Sequence, residues 1–325
     1  MKEKVGSARK DRVRKLYNDV VNILKYSNKD FITISFPTSH RERSIDVITY
    51  SDEKTVNMVV RVKDRSFVSK DEVKDLVKAS LAFNAVPLVV SEDQQVYDNI
   101  VFEREGVYVL NERTLNNLLS NREELITLYK KGELYLKVDK DKFLESRLKR
   151  NLSLNALAYL TNISRKTLEA YEKRGGNVTI ETAEKLVAVL GEDVIKAVTL
   201  EYIHEDFKEK QQETLIDLTP KLQETIRKGL EKVVDLNRSE VRVYDLRKSA
   251  PDYLIRNDEL IATVNAVDFS RYGLKEITIK ILECLKLSEL TDAEVSVLVD
   301  KDKAHMLEES LSALGKSSKI ELIKL

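Results

Sequence analysis

The stretch that most restricts how this chain can fold is short. Between Asn151 and Arg174 two serines, Ser153 and Ser164, each stand just before a run of helical apolar spacing, and Asn162 lies between the runs. A serine hydroxyl accepts N–H groups that a helix start leaves without partners, so both serines are candidate N-caps. Asparagine tolerates the left-handed backbone that a tight turn between helices demands. Leu157, Ala158, Ile163, Leu168 and Tyr171 form the internal side, with Ala158 small enough for two helices to cross closely. The pattern predicts helices over 154–160 and 165–173 joined by a tight turn.

On either side the hydrophobic period changes. A helical stripe (Val13, Leu16, Val20, Ile23, Leu24, Tyr26) precedes three strand-like runs, 31–36, 45–50 and 56–63, the last two joined by a turn at 51–54. A helix over 71–83 and the apolar run Val86-Pro87-Leu88-Val89-Val90 complete an αβββαβ order. A strand at 107–110 and a helix at 114–119 follow. The last third repeats the order. It begins with a helix over 220–234, with Thr219 as N-cap and Pro220 at its first position. Strands at 241–246, 253–256 and 260–267, a helix over 274–287, a strand at 295–299, a helix over 304–314 and a strand at 320–325 come next. SIDVITYSDEKTVNMVVRVKD and APDYLIRNDELIATVNAVD align in pattern, with Asp46 against Asp252, as an internal duplication would require.

Composition excludes several classes. One cysteine, Cys284, can make neither an internal disulfide nor a cysteine zinc site, and His40, His204 and His305 are scattered enough to be read as surface or packing residues. No apolar run approaches the roughly 18 residues of a membrane span, and the N-terminus has no signal-like core, so a soluble intracellular protein is expected. The 34% charged residues, with few Gly and Pro and no Trp, match the bias of heat-stable proteins. The 55 Lys and Arg balance 55 Asp and Glu, which by itself argues against a polyanionic partner. Position reverses that inference, because cations concentrate between Lys2 and Lys29 and between Lys137 and Arg174.

The segment LSLNALAYLTNISRKTLEAYEKRG, with NVTIETAEKLVAVLG after it, resembles the Cro and lambda-repressor-like helix-turn-helix family. Leu154 and Thr161 depart from the residues usual there. The resemblance implies that the second helix enters the major groove. Arg165, Lys166, Glu169 and Ala170 would then face base edges, with Arg165 and Lys166 donating to guanine. Ser153, Ser164, Thr167, Lys149, Arg150, Lys173 and Arg174 would hold phosphates.

The αβββαβ order, with Asp46 on one strand and Arg61-Val62-Lys63 on the next, resembles the restriction-endonuclease and Holliday-junction-resolvase superfamily. That superfamily implies an Asp and an acid-x-Lys pair around a divalent metal. Here Arg61 fills the acid's place, so a guanidinium would stand where the metal should, and Asp46 would pair with Arg61 or Lys63 as a structural bridge. In the second copy Asn265 and Val267 replace the acid and the lysine. Asp46, Arg61 and Lys63 are therefore read as vestigial nuclease positions, with no catalytic residue, metal or cofactor expected.

The whole arrangement is similar to a family of archaeal helix-turn-helix transcriptional regulators, through VVRVKDRSFVSKDEVKDLVKASLAFNAVPLVV, LYLKVDKDKFLESRLKRNLSLNALAYLTNISRKTLEAYE and RVYDLRKSAPDYLIRNDELIATV. The expected fold is α/β: two αβββαβ nuclease-like domains, 1–125 and 210–325, flank an all-α five-helix lambda-repressor-like domain at 136–203. The expected function is sequence-specific binding of double-stranded DNA by a homodimer, without enzymatic activity and without a membrane. A nucleoid-associated architectural protein and a metal-dependent nuclease are the alternatives.

Overall fold

A computed structural model describes residues 2–51, 55–120, 124–214 and 222–325. Asp52 to Lys54 of the 51–54 turn, and Thr219 and Pro220, lie outside them.

Helix α1 (Lys2–Tyr26) packs Leu16, Val20 and Leu24, all fully buried, against the first sheet, whereas Tyr26 at its end is 88% exposed and drops out of the expected stripe. Strands β1 (Phe31–Thr33), β2 (Val47–Thr49) and β3 (Asn57–Lys63) run antiparallel. Helix α2 (Lys70–Ala82) carries a Ser69/Glu72 capping box and crosses to β4 (Ala85–Ser91), parallel to β3 and buried at every position. Strand β5 (Ile100–Arg104), unforeseen, precedes β6 (Val107–Leu110) and α3 (Glu112–Leu119).

The sheet does not stop there. Strands β7 (Thr127–Lys130) and β8 (Glu133–Val138) extend it. Helices α4 (Lys140–Lys149), α5 (Leu154–Thr161) and α6 (Arg165–Arg174) then precede β9 (Gly176–Thr179), α7 (Ile180–Leu190) and β10 (Ile195–Lys196). The described strands form one 10-stranded sheet, β1-β2-β3-β4-β6-β5-β7-β8-β10, with β9 also on β8.

The central unit is thus not all-α. Leu136 and Val138 of β8 and Val178 of β9 share a buried cluster with Phe143, Leu157, Leu168 and Leu186, so the strands form one wall of the helical core. Its helices are α4 to α7 and a single 3-10 turn at Glu192–Val194. Helix α8 (Leu200–Thr214) places Tyr202, Ile203 and Phe207 in the core of the first α/β unit. There Asp206 accepts hydrogen bonds from Tyr108 Oη at 2.7 Å and Lys130 Nζ at 2.8 Å.

In the last third α9 (Glu224–Leu230) is shorter than expected. It is followed by β11 (Arg242–Asp245), β12 (Tyr253–Arg256), β13 (Leu260–Ala266), α10 (Leu274–Thr291), β14 (Glu294–Val299), α11 (Lys301–Ala313) and β15 (Glu321–Lys324). The order β11-β12-β13-β14-β15 repeats β1-β2-β3-β4-β6, two antiparallel pairings and then two parallel ones.

The two copies meet within one chain, on α2. Leu76 of α2 and Tyr244, Leu246 and Leu254 of the second copy belong to one buried cluster. Asp75, 1% exposed, accepts from Ser44 Oγ at 2.7 Å and from the backbone N–H groups of Arg247 and Lys248 at 3.0 and 2.8 Å. Lys78 pairs with Asp245, and Arg256 donates to Ala82 O at 2.8 Å. Covered on both sides, α2 buries Asp75 and Lys78 as well as its apolar stripe.

Candidate nucleic-acid interface

The pair α5 and α6 is set by local chemistry. Ser153 Oγ accepts from Ala156 N at 3.1 Å and Ser164 Oγ from Thr167 N at 3.1 Å, satisfying N–H groups at both helix starts. Asn162 takes φ 53° and ends α5 in the left-handed conformation. Thr161 is buried at an apolar position, and its hydroxyl donates to Leu157 O at 2.8 Å, so it packs without an unmet polar group. Leu168 is fully buried beneath α6. Arg147 of α4 grips Glu172 of α6 with two bonds, 2.6 and 3.0 Å, and donates a third to Leu152 O at 2.7 Å. Helix α6 is therefore held from below by a leucine and from behind by a bidentate charged clamp.

Its outer face is open. Arg165 and Lys166 are exposed at its N-terminal end, and Lys149, Arg150, Ser153, Ser164, Lys173 and Arg174 are exposed around it. Thr167, Glu169 and Ala170 are half-buried. Ser164 and Thr167 hydroxyls lie 2.7 Å apart, and Glu169 pairs with Lys173 at 2.7 Å. That pair lowers the Glu169 carboxyl, chiefly through the hydrogen bond from Lys173. A base-reading Glu169 must exchange this partner, which a solvent-exposed pair permits. Tyr159, on α5, is 88% exposed and was not singled out from the sequence.

The second cluster centres on Asp46, which is fully buried. Its Oδ2 meets Arg61 Nη1 at 2.6 Å and accepts Val62 N–H at 2.7 Å, while Oδ1 lies 3.4 Å from Arg43 Nη1 and 3.3 Å from His40 Nε2. Arg61, 2% exposed, also donates to His40 O at 2.7 Å. Burial opposes ionisation of Asp46, but the His40 hydrogen bond, the Arg61 charge and the Val62 N–H outweigh it and hold the carboxyl below its usual range. Lys63 pairs not with Asp46 but with Glu72 of α2, 2.9 Å to each oxygen. His40 is thus part of a charged network rather than a surface or packing residue. Glu72 was missed, although Ser69-x-x-Glu72 announced a capping box. In the second copy Asp252 likewise accepts a strand N–H, from Ala266 at 2.9 Å, and pairs with Lys280. Asn265, the counterpart of Arg61, donates to Cys284 Sγ at 3.0 Å. Burial pushes that thiol up to about 12.

Residues 144–195 match the helix-turn-helix family model. Residues 13–125 match that of the PD-(D/E)XK superfamily domain. An Aeropyrum pernix protein named "Putative HTH-type transcriptional regulatory protein" is 30% identical over 190 residues, 57% of this chain and 57% of that protein. One so named from Sulfolobus acidocaldarius is 30% identical over 197 residues, 60% of this chain and 63% of that protein. These matches span less than two thirds of either relative. One from Saccharolobus islandicus, strain Y.G.57.14, is 25% identical over 293 residues, 89% of each chain. No solved structure matches the chain.

Residues 13–125 do not fit the divalent ion that the matched superfamily implies. Both oxygens of Asp46 already face guanidinium groups, and an ion there would have to displace Arg61 from 2.6 Å. Among the described residues no three His, Cys, Asp or Glu side chains converge as a metal site, and no helix is long and apolar enough to cross a membrane.

Proposed function

We propose that the protein is a transcriptional regulator that reads double-stranded DNA through α6 of a Cro-type helix-turn-helix unit, acting as a homodimer in the nucleoid. The observation carrying this reading is the combination on α6 of a fixed inner side and an open outer one. Leu168 and the Arg147–Glu172 clamp hold the helix, while Arg165 and Lys166 stand exposed at its N-terminal end with no ion-pair partner among the described residues. Preorganised donors of this kind read guanine in the major groove at about 1–3 kcal/mol per good bidentate contact. Lys149, Arg150, Lys173 and Arg174, with the Ser153, Ser164 and Thr167 hydroxyls, set register on phosphates. A dimer of such units would read half-sites about 34 Å apart.

In this reading the α/β units are non-catalytic, because their carboxylates serve as internal acceptors and ion-pair partners. The reading unit runs from β8 to β10, and α8 belongs with the first α/β unit. Gel shifts on a site selected from genomic fragments test the assignment. Arg165→Ala with Lys166→Ala should abolish discrimination of that site from random duplex. Unchanged discrimination overturns it, and a wild-type protein that binds every duplex equally points to the architectural alternative.

A further inference from the structure

One face of β5 and β7 carries rings left largely in water. Phe102 of β5 and Tyr129 of β7 are register partners and so share that face, their ring centroids 5.3 Å apart. The opposite face is taken, since Lys130, next in β7, donates to Asp206 of α8. Tyr97 sets its ring 6.5 Å from that of Phe102. Arg104 lies over Phe102, 5.5 Å from the centroid, and donates to Ser66 Oγ at 2.9 Å, which brings the neighbouring Phe67 to the same cluster. Phe67 is 73% exposed, Tyr97 62% and Tyr129 37%. At roughly 200 Å² per aromatic side chain, about 340 Å² of ring surface stands in water, within the size range of patches that often serve an interaction.

The charges around the rings decide the partner. Arg65, Arg113 and Lys131 stand with Asp98, Glu105 and Glu133, three of each sign and all exposed. Balanced signs favour neither a polyanion nor a strongly charged peptide. A patch with both signs around a centre of aromatic rings and arginine is complementary to itself across a two-fold axis. We propose that this face, centred on Phe67, Tyr97 and Tyr129, is the interface between two copies of the chain. Its rings would supply somewhat under half of the roughly 800 Å² that a stable dimer buries on each partner, and the charged rim the rest. Strand β7 pairs with β8, whose Leu136 and Val138 wall the helical unit, so joining two copies here fixes their α6 helices relative to one another. The inference rests on the reading of α6 for its need of a second copy, and it names the surface that brings that copy in.

Light scattering coupled to size exclusion, on the full chain without DNA, tests it. The wild type should run at twice the mass of one chain. A two-fold interface loses each substituted side chain twice, so Tyr97→Ser/Tyr129→Ser should raise the dimer dissociation constant about a thousandfold, at the cost usual for truncated interface aromatics. Phe67→Ser, on a loop outside the sheet, should weaken the dimer as well and changes no strand. Arg165→Ala/Lys166→Ala should lose the selected duplex yet stay dimeric, so a failure of the α6 reading and a failure of this interface give different results. A monomeric wild type, or a dimer that neither aromatic variant weakens, overturns the proposal. So does an unchanged mass together with lost binding of oligothymidylate in Tyr97→Ser/Tyr129→Ser, which would make the face a stacking surface for single strands.

Discussion

Replacing Arg61 with Met removes the main counter-charge of Asp46 while keeping the volume of a long side chain. Both residues are buried, Asp46 completely and Arg61 to 2% exposure, so solvent cannot take over. Breaking a buried pair by deleting one partner costs about 3–5 kcal/mol. Asp46 keeps Arg43 at 3.4 Å, His40 at 3.3 Å and the Val62 N–H at 2.7 Å, which places the loss near the lower end, about 3 kcal/mol. With several packed units in one chain a single unfolding free energy is ill-defined, so the readout should be local. Hydrogen exchange of the Val62 amide, bonded to Asp46, is suitable. At about 1.4 kcal/mol per tenfold, exchange should quicken more than a hundredfold. The pH sign follows from the lowered carboxyl. Asp46 stabilises above its unfolded value of about 3.9, and this is lost as pH falls through its folded value. The cost of Arg61→Met should therefore be full at neutral pH and shrink in acid, once Asp46 takes up a proton. Asp46→Asn/Arg61→Met should recover most of the loss, because removing both charges leaves none stranded. Val62 exchange within threefold of wild type in the single variant would refute the reasoning.

Two further perturbations follow. Asn162→Ala should cost about 1–2 kcal/mol, since its φ of 53° is left-handed, while Asn162→Gly should be nearly neutral; thermal melting and affinity for the selected duplex should rank Gly above Ala, and equal values would argue against backbone control of the turn. Asp75→Ala leaves the N–H groups of Arg247 and Lys248 without their buried acceptor, at about 1–3 kcal/mol each, so limited trypsin digestion should release the last third faster, and an unchanged rate would show that the two copies are held together without Asp75.

Much of this was legible because its causes are local. The caps at Ser153 and Ser164 act three residues ahead, Asn162 sets its own dihedral, and the stripes of α2 and α10 repeat every turn. Even the replacement of an acid by Arg61 can be read, since it is a matter of strand parity. The partners of Arg61 were less accessible. Glu72 reaches it from the next helix, and His40 from a loop whose conformation is held by Arg43 donating to Ile34 O at 2.7 Å and Ser35 O at 2.9 Å.

Sequence alone, then, determined the kinds of element, their repeated order and the chemistry exposed on α6, because helix periods, strand parity and caps are properties of neighbouring residues. Tertiary structure decided that β7 to β10 join the first sheet, that α8 leaves the helical unit for the first core, and that the two copies clasp α2 between them. It also decided that Lys10, Arg14 and Arg41 gather around one cavity beside the Asp46 network. Each of these depends on burial between segments far apart in the chain, such as Asp75 with Lys248 and Tyr108 with Asp206, for which a local pattern carries no signal.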